Sequence, residues 1–400
     1  MKKIMTLVWI LALTGAVSGQ QSVDYIMKAR AFSSTGKPEE AVKVLTEAIT
    51  VSNDSKLYLE RADARIILRS YSDAISDLNE ANKVTPFSGD YGLSRIYAYK
   101  GDAATSLYHL AMSLNSSYRK TEKEIMLDPA FRMIENRPEW RQFWKKEWYS
   151  PTEKSISEIE YYVSSGMTDE SKALLSDLKK NYESSEETIY AEALINMSSG
   201  KYNEAIKGVS GLIAGNPANE KYLRMLAKSQ VLSGNPAGAS VTYTQLFNED
   251  VADAELLILR AECYRKTSEN NKALRDIEKY LDLYPENKAA ISLAGKVEAG
   301  SGDNLKAMEY FSKNLKLYPN DPECYVDRAN SYFVSKSWDW AIRDYSMSLD
   351  LSPANSDVWL NKGIALLNTS RVDDACHDFR KALSLGNKRA SEYISSNCIK

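Results

Sequence analysis

Catalysis by side chains needs a base beside a nucleophile, or a cluster of groups able to hold a metal or a phosphate. The chain has two histidines, His109 and His377, far apart in sequence and each inside what reads as a second helix. A lone histidine there has no nucleophile to activate. No glycine-rich phosphate loop and no G-x-S-x-G elbow is present. Four cysteines (Cys263, Cys324, Cys376 and Cys398) are too scattered for a zinc site. With 51 Lys+Arg against 54 Asp+Glu the net charge is −3, so there is no basic footprint for nucleic acid. No enzyme, cofactor or metal is expected. Recognition is the chemistry left.

The elements that would present such a surface are legible in the spacing. Apolar residues make up 44% of the 400-residue chain, which excludes wholesale disorder, and 18 Gly with 11 Pro is little material for hairpins. Gly166, Gly200, Gly234 and Gly302 fall on a 34-residue period, as do Ala205, Ala239, Ala273, Ala307, Ala341 and Ala375. Pro217, Pro285, Pro319 and Pro353 keep the same step. In the block 322–355, Tyr325, Ala329 and Tyr332 recur at helical spacing, and Ala341, Tyr345 and Ser348 do so again. Each unit is therefore two amphipathic helices, brought close by a small residue on each and stopped by the proline.

Tyr325…Ala329…Tyr332…Ala341…Tyr345…Pro353 resembles the tetratricopeptide repeat. The last unit keeps Trp359…Gly363…Leu366…Ala375…Phe379, with Asn387 in place of the proline. The resemblance implies an all-α solenoid of antiparallel helix pairs, a TPR superhelix. Seven units start at 152, 186, 220, 254, 288, 322 and 356. Three more centre on Phe32/Ala41/Leu45, on Ala62/Ala74/Leu78/Ala81/Pro86 and on Gly101/Leu110. Ser106 and Ser171 stand where alanine is usual. The expected organisation is an N-terminal array over 20–120, a joint over 121–150, a seven-unit array over 151–389 and a capping segment over 390–400.

The joint carries Pro129, Pro138 and an aromatic set, Trp140, Phe143, Trp144 and Trp148, with the indoles at i, i+4 and i+8. Two readings stand: a cap over the apolar end of the array, or an exposed aromatic docking patch. At the other end, Cys376 and Cys398 meet if 388–398 folds back as a capping helix. A disulfide and two free thiols both remain open.

In proteins resembling this one the first helix of each unit lines a concave groove that binds a protein or peptide partner. The positions that would face it here include Arg224, Lys228, Glu262, Arg265, Lys266, Lys296, Asn330 and Phe333. The basic members would favour an acidic segment or carboxylate. A known variant clamps a chaperone's C-terminal carboxylate with Lys and Asn, but Val326 and Leu360 stand where polar clamp residues would be needed.

Met1–Gln20 has a basic start (Lys2, Lys3), an apolar run over 4–13 and a small-residue stretch ending at Gly19. That order matches a secretory signal, expected over 1–19. The run falls short of the about 18–20 apolar residues a membrane span needs, so no transmembrane anchor is expected. The resulting expectation is an exported, periplasmic scaffold of a bacterial envelope or secretion complex, with a glycan- or small-ligand-binding protein as the alternative.

Overall fold

The computed structural model describes residues 21–183 and 185–398; the expected leader, 1–19, lies outside them. The described residues are helical throughout. They run as ten helix–turn–helix segments, an interruption after the third and one closing helix. The first three are α1 (residues 21–34) with α2 (Pro38–Val51), α3 (Ser55–Ile67) with α4 (Tyr71–Val84), and α5 (Asp90–Tyr99) with α6 (Ala103–Leu114). The interruption holds α7 (Glu122–Leu127), a 3-10 helix (Pro129–Met133) and α8 (Pro138–Phe143). Then come α9 (Pro151–Ser164) with α10 (Thr168–Tyr182), α11 (Glu186–Ser198) with α12 (Tyr202–Gly215), and α13 (Glu220–Leu232) with α14 (Pro236–Asn248). The rest are α15 (Glu255–Lys266) with α16 (Asn270–Leu283), α17 (Lys288–Ser301) with α18 (Asn304–Leu317), α19 (Pro322–Val334) with α20 (Trp338–Leu351), α21 (Ser356–Asn368) with α22 (Val372–Ser384), and α23 (Ala390–Asn397). The chain divides into two compact units, one through Ala254 and one from Glu255. That division falls inside the stretch read as one seven-unit array.

Helices this short are marginal alone, so pairing must hold them. The periodic alanines do the pairing: Ala41, Ala74, Ala205, Ala239, Ala273, Ala307, Ala341 and Ala375 are all fully buried. Ser106 and Ser171 are buried in the same role, their hydroxyls satisfied by the carbonyls of Ser94 (2.9 Å) and Thr168 (2.8 Å). At Gly363 a Cβ would lie 2.6 Å from Phe379 Cε1, so only glycine lets the aromatic seat there. Five of the later first helices are capped on the same 34-residue period. Ser185, Asn219, Asn287, Asp321 and Asn355 accept from a backbone N–H of the first turn.

Four repeats are also braced by a cation on the first helix and an aspartate sixteen residues later on the second. Arg61 holds Asp77 with Nε and Nη2 (3.0 and 2.6 Å), Arg260 holds Asp276 (2.7 and 2.7 Å) and Arg328 holds Asp344 (2.6 and 2.9 Å). Lys362 makes the single-point version to Asp378 (3.2 Å). Asp77, Asp344 and Asp378 are almost wholly buried. Such a pair orients the two helices, because a buried carboxylate cannot be left unpaired.

The aromatic joint packs inward. Trp140 is buried against Phe131 (5.3 Å between rings) in a cluster with Leu107, Leu110 and Leu114 of α6, and Trp144 and Trp148 pack against that cluster. An exposed docking patch is therefore not what these indoles form. Nor do they share one helix face: α8 ends at Phe143. Trp148 instead folds back to stack on Phe143 (4.6 Å) and donates its indole N–H to the Phe143 carbonyl (3.0 Å). At the C-terminus α23 lies on the last repeat, with Tyr393 stacked on Phe379 (5.0 Å). Cys376 and Cys398 are joined by a disulfide, with Cα atoms 5.6 Å apart.

Candidate partner-binding surface

In the first unit the first helices are tied to one another by charges that cross between repeats. Arg30 on α1 pairs with Glu60 on α3 and donates to the Ala252 carbonyl (2.6 Å), 222 residues away. Lys56 reaches the Asp250 carboxylate (3.9 Å), and Arg224 on α13 pairs with Asp253 (2.8 Å). The two ends of this unit therefore touch through α1, α3 and the segment 249–254. Further along, Arg95 on α5 joins Asp63 (2.9 Å) to Asp128 (3.0 Å), which also accepts from the Tyr91 hydroxyl (2.8 Å). Lys221 on α13 pairs with Glu160 on α9 (2.7 Å) while lying 3.9 Å over the Tyr190 ring, and Tyr190 donates to the same carboxylate (3.1 Å). Burial and the neighbouring Glu160 charge push the Tyr190 phenol well above its ordinary pKa, so it remains a donor.

Between the segment 119–126 and α9 the same face opens into a cleft of about 670 Å³, with Glu187 and Lys221 on its far wall. Half-exposed Tyr161 and Met126 line it beside Ile156 and Tyr149. Arg119 crosses its edge, lying 4.9 Å over the Tyr149 ring and 3.2 Å from Glu153. Among the described residues, Glu122, Lys123 and Glu187 make no ion pair, which leaves charges of both signs available beside exposed apolar surface.

The residues singled out from sequence are placed as follows. Arg224 sits between Glu220 (2.7 Å) and Asp253, and Lys228 is exposed with no ion pair among the described residues. In the second unit, Glu262 takes both Arg265 (2.7 Å) and Lys266 (3.9 Å). Partial burial would raise the Glu262 carboxyl, but these cations hold it below its usual range. Lys296 pairs with Asp327 (2.9 Å), Asn330 accepts from the Tyr345 hydroxyl (2.7 Å), and Phe333 packs edge-on against Trp338 (5.2 Å). The basic members other than Lys228 thus already hold carboxylates of their own chain. Arg30, Glu60, Asp63, Arg95 and Asp128 escaped the sequence reading, since their partners lie about one repeat away or further. No group of three or more His, Cys, Asp or Glu is placed to hold a metal among the described residues. None of the helices described is long and apolar enough to cross a membrane.

A family model described as tetratricopeptide repeat matches residues 25–55, which span α1 and α2. A solved tetratricopeptide repeat protein from Parabacteroides merdae superimposes with a TM-score of 0.52 at 21% identity, over 62% of this chain and 99% of that one. The chain carries a tetratricopeptide repeat at that stretch and shares the helix-pair fold of that solved protein. Among curated relatives, this repeat protein is 28% identical over 148 residues to the DnaJ homolog subfamily C member 7 homolog of Schizosaccharomyces pombe. That alignment covers 32% of this chain and 30% of the relative. It is 26% identical over 247 residues to DnaJ homolog subfamily C member 3 of Gallus gallus, covering 56% and 48%. The matched parts are thus half or less of those relatives' own length.

Proposed function

We propose that this chain is a non-catalytic tetratricopeptide-repeat scaffold that holds a protein partner on the first-helix face of its first unit. The carrying observation is the cleft beside α9. It combines half-exposed Tyr161 and Met126 with Glu122, Lys123 and Glu187, which have no ion pair among the described residues. Apolar surface supplies the driving force and unpaired charges of both signs supply register. A photocrosslinking residue placed at Tyr161 or Glu187 in the native organism is expected to trap a discrete protein adduct. The same residue at exposed Glu309, on a second helix, is expected to trap none. Equal labelling from both faces overturns the reading. The glycan alternative needs tryptophans clustered around a concave cavity, and the indoles of the joint are packed against α6 instead.

Export belongs to the same proposal. The order of residues in Met1–Gln20 supports a leader, and the Cys376–Cys398 bond supports an oxidising compartment, where such bonds persist. Burial pushes the thiols of Cys263 and Cys324 up to about 11, so neither is a ready nucleophile. Thiol titration of protein taken from its native compartment is expected to show two thiols on denaturation and four after reduction. Four without reductant sinks the compartment assignment. An envelope or secretion assembly in a bacterium is the setting this would fit.

A further inference from the structure

The four cation–aspartate braces differ in what fills the space beside them. In the repeat of Asp77, Arg65 fills it: Nη1 donates to Asp77 Oδ2 (2.6 Å) and to the Asp73 carbonyl (3.1 Å). The corresponding places beside Asp276 hold Tyr264 and Lys272, the ammonium 5.3 Å from the ring centroid. Beside Asp344 they hold Tyr332 and Trp340, stacked at 6.0 Å. Beside Asp378 they hold Leu366 and Asp374, and Asp374 is paired with Arg371 (2.9 Å). A cavity of about 270 Å³ is left there, walled by Trp359, Lys362, Leu366, Asp374 and Asp378, with Arg371 and His377 also lining it.

The brace is also weakest at this point. Lys362 lies 3.2 Å from Asp378 Oδ2 as a bare ion pair, and no hydrogen bond reaches that oxygen although the side chain is only 4% exposed. His377 Nδ1, at 3.2 Å, serves the other oxygen. Burial raises the Asp378 carboxyl above its ordinary value, as expected of a charge with too little compensation.

We propose that this cavity in the last repeat is a binding site for a guanidinium group, the side chain of an arginine supplied in trans, which completes at Asp378 what Arg65 completes at Asp77. Asp77 accepts from Arg61 and Arg65 together, so a second cation beside Lys362 has a precedent at the same position of the fold. A guanidinium suits the site better than an ammonium because its planar fork offers several donors at once to a carboxylate and a nearby carbonyl. The Trp359 ring, over which the Lys362 ammonium already lies at 4.7 Å, forms part of the wall beside it. This site is separate from the first-helix face of the first unit, and its failure leaves that proposal standing.

The test follows the indole N–H resonance of Trp359 in the full chain, assigned with W359F, during titration with N-acetyl-arginine methylamide. A saturable shift is expected, at least about tenfold weaker with the lysine analogue and absent with the uncharged citrulline analogue. D378N abolishes it by removing the charge. L366R abolishes it by supplying the guanidinium from within, where Arg65 has it. An equal response to citrulline, or an undiminished shift in folded L366R or D378N, overturns the proposal. If neither variant folds by circular dichroism, the citrulline comparison on the unaltered chain decides. Free arginine and an arginine inside a capped tripeptide are run side by side: tighter peptide binding assigns the group to a protein partner, equal binding to the free amino acid.

Discussion

The two units are made of the same helix pairs yet hold themselves together differently. In the second unit, bracing stays within a repeat or reaches only the next one: Arg260 with Asp276, Arg328 with Asp344, Lys362 with Asp378, Lys296 with Asp327 of the following repeat, and finally the Cys376–Cys398 bond. In the first unit, the array is interrupted by the packed tryptophan joint, and its ends meet through Arg30, Lys56 and the segment 249–254. A regular repeat can be stabilised by contacts between near neighbours alone. Once the order is interrupted, contacts between distant residues take over part of that task.

The largest effect should come from a buried brace. Replacing Arg328 by Ala leaves Asp344, 2% exposed, without its guanidinium, and should cost about 3 kcal/mol in urea unfolding. Lys362→Ala should cost clearly less, since the lysine makes one contact where the arginine makes two. Equal losses would remove the distinction between strong and weak braces.

Next comes the disulfide. It closes a stretch of 22 residues, and chain entropy assigns such a loop about 3 kcal/mol. Reduction, or the double change Cys376→Ser with Cys398→Ser, should lower the melting of the second unit and leave the first unit's hydrogen-exchange protection unchanged. A matching loss of protection in α3 or α5 would show the units to be more coupled than their separate bracing implies.

A smaller and opposite effect is expected at the inter-helix turns. Gly166, Gly200, Gly234 and Gly302 take the left-handed conformation there, but Lys336 and Ser370 do so as non-glycine residues, with φ of 58° and 64°. Lys336→Gly and Ser370→Gly should each stabilise by about 0.5 kcal/mol, seen as a raised urea midpoint. A lowered midpoint would show that side-chain contacts at those turns outweigh the backbone cost.

The smallest change in stability should follow Arg30→Ala with Lys56→Ala. Both side chains are about half exposed, so each pair should contribute only about 0.2 kcal/mol. Its signature is local: faster amide exchange over 249–254, mimicked in the unaltered chain by raising salt. No change in that segment would mean its buried apolar residues, Val251 and Ala252, hold the contact alone.

Local periodicity is why so much of the fold could be read. Ala341, Tyr345 and Gly363 recur because every helix pair meets the same packing problem, so one solution repeats along the chain. The Arg328–Asp344 brace was missed because sixteen residues is no period of a single helix; only the antiparallel turn brings the two side chains together. Trp140, Trp144 and Trp148 suggested one helix face, but α8 ends at Phe143 and the rings close over α6 instead. The basic stretch Arg224–Lys296 looked open because charge counting does not show that Asp253 and Asp327 already stand opposite.

What the amino-acid order determined by itself is the helix-pair unit, its number of copies and the positions of its small residues, since these depend on contacts within about 34 residues. Tertiary structure decided which charges are spent within the chain, where a cleft opens beside α9, and that Arg30 meets Ala252. The reason is physical: a carboxylate or a cavity acquires its character from what surrounds it, and around Asp63, Asp128 and Ala252 the surroundings come from distant parts of the chain. Asp378 lies between these cases. Its brace is local, but only the folded repeat shows that Leu366 leaves unfilled the space that Arg65 occupies beside Asp77.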